Sequence, residues 1–555
     1  MKRSSLQLHC LALVASSTSA FTTLPLNQHA TSTHQTLLHM AVATNASSEV
    51  RFFPTEDEKN RKTTADTYSI PAPKRELWKV ERVDRVFEDD TERPKYPNPL
   101  SLKPNTPLSW FVDEDDAVAA KVNVALSDMD LNQGIKSEAF TLAGPRFDIA
   151  FDPKQCRAAV VTCGGLCPGL NTVVREIVMC LRRQYGVPCT YGIPSGYRGF
   201  TDPSSWIALD EKVVRNFHNM GGSFLGSSRG GHDTKAIVDS LEEQGINLLF
   251  VTGGDGTVRG AAKVAEEVRA RGLEIAVAVI PKTIDNDIPL VDRTFGFESA
   301  VNAARQAIDV AATEAQGFPL GLGVVKVMGR HSGFIAMHST LGSREVDLCL
   351  IPELDFYLDG EGGIVDHLAD RLLEKGNAIV VVAEGAGQEL MASMGAHGDD
   401  MKDASGNALL DDVGPWLVKQ LKPRLNEKLK GKAPFDDQVT FKYVDPSYMV
   451  RGIPPTTADN LFCTQLAHNA VHGAMAGMTS FLVGSVNTRE CYLPIKLVAN
   501  KQNVIDTSHQ SMWEYVVFDT QQPSFAKEEA CRGENDVITT ASGGVVKGSD
   551  EECTI

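Results

Sequence analysis

From Cys156 onward the chain repeats one arrangement. A short run of consecutive apolar, β-branched residues gives way to a glycine-rich or polar loop, and then to a stretch with apolar positions three and four apart. RAAVVTC is followed by GGLCPGLN and then by NTVVREIVMCLRRQY, in which Val174, Ile177, Val178 and Leu181 form one stripe. CTYGIP ends in SGYRGF, LLFVTGG in DGTVRGAAKVAEEVRARG, and IAVAVIP in KTIDNDIP before ESAVNAARQAIDVAATEA. LGVVKVM leads into GRHSGFIAMHSTLG, DLCLIPE follows, and AIVVVAEG closes the series. Strands that are apolar on consecutive positions, alternating with amphipathic helices, predict an α/β fold with mostly parallel sheets covered on both faces. The run is long enough for two doubly wound lobes.

The flanks break this rhythm. Residues 51–150 are charged and dotted with proline, and read as an extension that wraps over the core or mediates contacts. Residues 385–444 read as a polar insertion containing a helix kinked or restarted at Pro423, a surface elaboration with no chemistry assigned to it. Residues 501–555 read as a tail whose last residues, GSDEECTI, are expected to lack fixed structure. At the other end, Lys2 and Arg3 precede a short apolar stretch that closes in small residues before Phe21. This is the layout of a signal peptide over residues 1–20, too short to span a bilayer. The following segment, to about residue 50, is rich in hydroxyl side chains and lacks Asp and Glu up to Ser48. The pair resembles the bipartite presequences of plastids enclosed within the endomembrane system, with the cytoplasm as the alternative location.

At 555 residues the chain exceeds one compact core. A formal charge of −17 argues against nucleic acid or an anionic membrane as partner, so any bound anion must be held by local cations and backbone amides. The 11 cysteines lack metal-site spacings, Cys163 and Cys167 being separated by three residues, and are expected to be free thiols in a reducing compartment.

Three strand endings carry the candidate chemistry. In GGDGTVRG, Gly253, Gly254 and Gly256 flank Asp255, leaving room for a nucleotide phosphate beside one carboxylate, an arrangement that makes sense when Mg²⁺ bridges the two. The same motif occurs in NAD and lipid kinases, so it indicates phosphoryl transfer without naming the acceptor. PKTIDND supplies Lys282, Thr283, Asp285 and Asp287, with Asp285 the candidate base for an alcohol proton. VMGRHSG contributes Arg330 and GSSRGGHD contributes Arg229, cations bracketed by small residues that permit bidentate contact with phosphate. GGLCPGLN, with Gly164, Gly165 and Asn171, is a weaker anion-binding signal of the same kind.

Together CRAAVVTCGGLCPGLN, SRGGHDT, PKTIDNDIP, VKVMGRHSGFIA and KYVDPSYMVRGIPP resemble the phosphofructokinases, most nearly the plant-type ATP-dependent 6-phosphofructokinases, over about Cys156 to Pro494. The resemblance implies Mg²⁺-dependent transfer of the ATP γ-phosphoryl group to the C1 hydroxyl of fructose 6-phosphate, the committed step of glycolysis. It implies an ATP-binding lobe at 155–297 plus about 458–495, a sugar-phosphate lobe at 298–457, and an active site in the cleft between them. Carried over by position, it implies ATP contacts at Gly165, Tyr197, Arg229, Gly230 and Gly254 to Thr257 (Gly254, Asp255, Gly256, Thr257), with Asp255 as Mg²⁺ ligand. Asp285 is the implied proton acceptor, assisted by Thr283, Lys282 and Arg330. Substrate contacts are implied at Thr283, Ile284, Asp285, Met328, Gly329, Arg330, Glu384, Tyr448, Met449, Val450 and Arg451. An allosteric homodimer or homotetramer is a further implication.

Two positions depart from bacterial relatives. Gly321 stands where they bring an arginine to a neighbouring subunit, and PPTTADN stands where they carry a second phosphate-binding arginine. Lys442 and Tyr448 are candidate replacements at the 6-phosphate. Donor choice rests on Gly256 and Lys282: glycine leaves space for the α-phosphate of ATP, whereas lysine before TIDND is common in diphosphate users. A diphosphate-dependent enzyme is therefore the nearest alternative. A noncatalytic nucleotide- or sugar-phosphate-binding subunit is another, opposed by the presence of Asp255, Asp285 and Arg330 together.

Overall fold

The computed structural model describes residues 75–83, 95–104, 106–120, 137–228, 230–395, 409–432, 438–499, 501–507 and 511–525, and the backbone of 544–548. The presequence-like residues 1–50 and Arg229 lie outside these. All described residues belong to one compact unit, Ile70–Ile555.

Two sheets organise that unit. The larger has ten strands, in the order Arg75–Trp78, Ser137–Leu142, Arg489–Pro494, Phe481–Val486, Ala276–Pro281, Leu248–Gly253, Arg157–Thr162, Cys189–Ile193 and Ile207–Ala208, with Ala117–Ala119 paired to Ser137–Leu142. Its five central strands, Phe481–Val486 to Cys189–Ile193, are parallel. The smaller sheet is wholly parallel, in the order Leu348–Leu350, Asn377–Ala383, Gly321–Val327 and Thr440–Val444. The expected α/β architecture with mostly parallel sheets is present.

Strand alternation explains why the apolar runs are unbroken. In Leu248–Gly253, Leu248 and Phe250 join the core cluster on one face of the sheet while Leu249 and Val251 join the cluster on the other. The first of these clusters also contains Val325, Val327, Ile379 and Val381 of the small sheet. Between the sheets runs Phe297–Gln316, whose buried face is mostly alanine. Small side chains let it lie close: a Cβ on Gly323 would meet Ile379 Cδ1 at 2.7 Å and the Ala311 carbonyl at 3.3 Å. Each fully buried valine or isoleucine in this layer contributes about 1.5–3 kcal/mol, which fixes the strand ends where the loops emerge.

Three expectations about the flanks change. Thr440–Val444, taken as the end of an insertion, is the edge strand of the small sheet, in register with Gly321–Val325. The helix Val413–Leu429 does not restart at Pro423, and it is more than surface elaboration: Leu417, Leu421, Leu425 and Leu429 are buried against the small sheet. That apolar stripe outweighs the backbone hydrogen bond that Pro423 cannot make. Within the N-terminal extension, Ser137–Leu142 adds directly to the large sheet by antiparallel pairing with Arg489–Pro494.

Candidate active site

In the large sheet the chain leaves Arg157–Thr162 for Cys189–Ile193 on one side and takes up Leu248–Gly253 on the other. Such a reversal of strand order opens a crevice at the carboxyl ends, where α/β folds bind ligands. The loops 163–169 and 253–257 emerge there side by side. Gly253 must lack a side chain, because a Cβ would overlap Thr257. Gly254 precedes the helix Asp255–Ala270 with extended backbone, and its carbonyl accepts from Thr257 N at 2.8 Å and Val258 N at 3.0 Å. No side chain caps this helix, so its first amides and its dipole are available to an anion. Asp255 lies in the first turn and pairs through Oδ2 with Arg259 Nη1 at 2.8 Å. A Cβ on Gly256 would have nothing nearer than Arg259 Nη2 at 3.9 Å, so a side chain there would project into the open crevice.

The next strand, Ala276–Pro281, delivers the PKTIDND loop beside this turn. Lys282 binds it to both neighbours: its amide donates to the Gly253 carbonyl at 2.9 Å and its Nζ to the Gly165 carbonyl at 2.7 Å. Burial lowers the Lys282 pKa, opposed by the Cys167 and Cys163 thiols and by Asp285 and Asp287. Thr283 Oγ1 accepts from the Asp285 amide at 3.0 Å, and Thr294 Oγ1 donates to the Thr283 carbonyl at 2.7 Å. Asn286 is buried in the left-handed region at φ +56°, its Oδ1 accepting from Thr294 N at 2.9 Å.

This geometry leaves Asp285 with one carboxyl oxygen, Oδ1, buried and without a hydrogen-bond partner among the described residues. Its pKa is pushed up to about 8, first by burial, then by the carboxylates of Asp287 and Glu384, against the pull of Lys282 and Arg330. Asp287 is also raised, mainly by burial, against a hydrogen bond from Thr283.

The small sheet supplies the opposite wall. After Gly321–Val327 come Met328, Gly329 and Arg330, and Gly329 takes φ +136° where a Cβ would collide with the Ser332 carbonyl. Ser332 Oγ donates to the Asp285 carbonyl at 3.1 Å, joining the loops of the two sheets. Glu384, directly after Asn377–Ala383, donates its amide to the Val327 carbonyl at 2.9 Å. Its carboxyl pKa is raised by burial, against Arg330, Lys326 and Arg451. The short helix Ser447–Arg451 follows the edge strand. There Tyr448 is 80% exposed and Met449 55%, with the Arg451 guanidinium 5.2 Å from the Tyr448 ring centre.

Asp255 acts electrostatically on Asp287, Arg330 on Asp285 and Glu384, and Arg451 on Glu384. The fold thus gathers the charged residues singled out in the sequence into one neighbourhood, apart from Lys442 and from Arg229, which lies outside the described residues. Gly165 borders it through the Lys282 bond, and Ser228, two residues before Gly230, accepts at its carbonyl from Gly164 N at 3.2 Å. Tyr197 stands behind the phosphate turn, buried, its hydroxyl donating to the Thr257 carbonyl at 2.9 Å. Ile284 and Val450 turn their side chains into the core, leaving only backbone toward the crevice. Lys442 is diverted: its Nζ lies 3.8 Å over the Phe318 ring and 3.5 Å from Glu314, at the far end of a helix whose other end adjoins the loops. It is therefore no replacement at a 6-phosphate.

The two departures from bacterial relatives have physical grounds. A Cβ at Gly321 would run into the Ala315 carbonyl, so an arginine there needs a different backbone. In PPTTADN, Asp459 is committed to the start of Phe297–Gln316, accepting from Gly296 N at 2.9 Å and Ser299 N at 2.8 Å. Sequence reasoning missed Thr294, Asn286 and Glu353. Only Asn286, inside PKTIDND, carried a local signal. A separate cavity of about 460 Å³ includes Arg82, Tyr96, Arg146, Asn247 and Glu274. It lies at the amino ends of the large-sheet strands, away from this chemistry.

Comparison with known proteins gives a consistent result. The chain matches the family described as Phosphofructokinase over residues 157–474. It is 48% identical over 451 residues to ATP-dependent 6-phosphofructokinase 1 of Arabidopsis thaliana, covering 81% of this chain and 92% of that protein. To ATP-dependent 6-phosphofructokinase 4, chloroplastic, of the same plant it is 46% identical, covering 81% and 82%. A solved pyrophosphate-dependent phosphofructokinase from Marinobacter aquaeolei shares the fold, with a TM-score of 0.54, 19% identity, and coverage of 71% and 98%.

Proposed function

We propose, from the premise that this chain belongs to the phosphofructokinase family, that its crevice transfers the γ-phosphoryl group of ATP to the C1 hydroxyl of fructose 6-phosphate. The observation that carries the reading is Asp285: one buried carboxyl with an unpartnered oxygen, between the phosphate turn on one side and Arg330 on the other. As the C1 oxygen forms its bond to the γ-phosphorus, its proton passes to Asp285, and the bond from that phosphorus to the β-phosphate bridging oxygen breaks to release ADP. A base needs a proton affinity near the working pH, and a value of about 8 meets that need.

The other residues bind and orient. The uncapped amides before Thr257 receive the donor phosphates. Lys282, with one N–H on the Gly165 carbonyl, directs its remaining donors toward the transferred group. Arg330 offsets charge on that group, Glu384 takes sugar hydroxyls, and Arg451 with Tyr448 faces the 6-phosphate.

Mg²⁺ fits the same arrangement. Among the described residues no three acidic, histidine or cysteine side chains cluster as a cation cage, whereas Asp255, paired with Arg259, offers one carboxylate in the first turn of the helix beside the anion site. One carboxylate plus substrate phosphates is the usual way this ion is held. When bound, it would neutralise the donor's charge.

Residues 155–297 with about 458–495 form the donor lobe in this reading, and 298–457 the sugar lobe. A homo-oligomer in the plastid completes it, supported for location by the chloroplastic relative and tested by imaging a fluorescent fusion of residues 1–60. The decisive experiment assays purified protein with fructose 6-phosphate, Mg²⁺ and either ATP or pyrophosphate. ATP is expected to be the donor. Faster turnover with pyrophosphate, or turnover with neither, overturns the proposal.

A further inference from the structure

Beyond Asn500 the chain reads as a tail, yet residues 501–505 form a strand, paired antiparallel with Gly544–Gly548, whose interior is buried. We infer that this strand is a positioning element of the active site, and that Asn503 holds the loop carrying Asp285. The inference rests on the reading of Asp285 as the base.

Asn503 is fully buried and grips two successive carbonyls of that loop. Its backbone N–H donates to the Asp287 carbonyl at 2.8 Å and its Nδ2 to the Asn286 carbonyl at 3.1 Å. Asn286 has φ +56°, a conformation that a residue other than glycine keeps when its surroundings fix it. Asp285 is therefore clamped from both directions: Thr283 holds its amide, Ser332 its carbonyl, and Asn503 the two residues that follow.

Two residues further along, Ile505 N donates to Glu353 Oε1 at 2.9 Å, and the same oxygen accepts from Gly333 N at 3.0 Å, just after Arg330. One strand thus ties the base loop of the large sheet to the arginine loop of the small sheet. It is anchored independently of both loops. Gln522 bonds the amide and the carbonyl of Cys349 at 2.7 and 3.0 Å, and Trp513 and Val516 of Met512–Thr520 are buried in the core. The groups acting on Asp285 are Asp287, Glu384, Lys282 and Arg330, while Lys501 on the strand is exposed.

The test compares full-length wild type, Asn503→Leu and Gln522→Leu, measuring kcat against pH, both KM values and the melting temperature. Asn503→Leu is expected to lower kcat by roughly 10- to 100-fold, a part of the roughly 10²- to 10⁴-fold that general base catalysis supplies, with the KM for ATP changed by less than about threefold. A slackened loop lets water reach the Asp285 carboxyl, so the acid limb of the kcat profile should move down by about half a pH unit or more. Gln522→Leu should lower the melting temperature without moving that limb. If Asn503→Leu only melts earlier, with kcat and limb unchanged, or if Gln522→Leu shifts the limb equally, Asn503 is structural and the inference fails. Should Asn503→Leu not fold, Asn503→Ser, which keeps the backbone N–H but is too short to reach Asn286, is judged by the same criteria. Asp285→Asn is run in parallel: its retaining turnover would dismiss Asp285 as the base, a failure distinguishable from that of Asn503.

Discussion

The loops at the carboxyl ends of the large sheet and those at the ends of the small sheet are made of different materials. On the large sheet the working surface is backbone: Gly253 and Gly254 shape an uncapped helix start, and the nearby cation, Lys282, is buried with a carbonyl already bonded. On the small sheet the surface is side chain: Arg330, Glu384, Arg451 and the 80% exposed Tyr448. A backbone cradle receives phosphate whatever else is attached to it, and an added Cβ spoils it. A side-chain cradle can tell a hydroxyl from a phosphate, and truncation weakens it by degrees. Asp285 stands where the two meet, so its loss should be felt in the chemical step and not in either binding constant.

The largest effect is expected at that junction. Asp285→Asn should reduce kcat by at least about 10²- to 10⁴-fold, with both KM values little changed in a steady-state assay. Near-normal turnover would place the base elsewhere and remove the distinction between the two walls. Next comes the backbone wall. Gly256→Asp sets a carboxylate into the open crevice, where like charge against the donor phosphates costs several kcal/mol; kcat/KM for ATP should fall by about 100-fold or more while the KM for fructose 6-phosphate holds. Comparable ATP use by this variant would show that the space is not donor space.

The side-chain wall should yield more gently. Arg451→Ala removes one charged hydrogen-bonding partner, for which about 1.5–3 kcal/mol is usual, so the KM for fructose 6-phosphate should rise roughly tenfold with ATP unaffected. An unchanged KM would detach Ser447–Arg451 from the sugar phosphate.

The smallest effect concerns stability. Because burial raises the Asp285 pKa to about 8, the native protein keeps a proton that the unfolded chain has released above about pH 4. Stability therefore declines as pH climbs from that lower value through about 8, and the penalty is absent below it. Asp285→Asn should melt later than wild type near pH 8.5, by roughly 1 kcal/mol or more, and the gap should narrow as pH falls and close only below about pH 4. A gap that is constant with pH would mean that the carboxyl is not held in this environment.

Much of this site was legible because its parts are local. GGDGT is read as a phosphate turn from five residues, since its glycines leave the backbone open around one carboxylate, and Gly253 cannot carry a Cβ without overlapping Thr257. PKTIDND and VMGR are read in the same way from the ends of buried strands. Thr440–Val444 was not legible as a strand, because Lys442 interrupts its apolar residues, none of its positions is fully buried, and its partner, Gly321–Val327, lies more than a hundred residues away. Lys442 was misplaced because charge alone does not say which end of a strand a side chain will serve; Glu314 and the Phe318 ring decide it.

The sequence by itself determined the strands of the repeating region from Cys156 to AIVVVAEG, the loops that follow them and the placing of Asp255, Asp285 and Arg330 at strand ends, because hydrophobic period and glycine sterics act over a few residues. Tertiary structure alone decided that Lys282 would bind the Gly165 carbonyl 117 residues away, that Ser332 would join the two walls, and that Asn503 would reach Asn286 across 217 residues. Such contacts form between polar groups whose pairing is set by where packed sheets bring them. No short-range pattern encodes that meeting, and the desolvation that raises Asp285 exists only once the chain has closed around it.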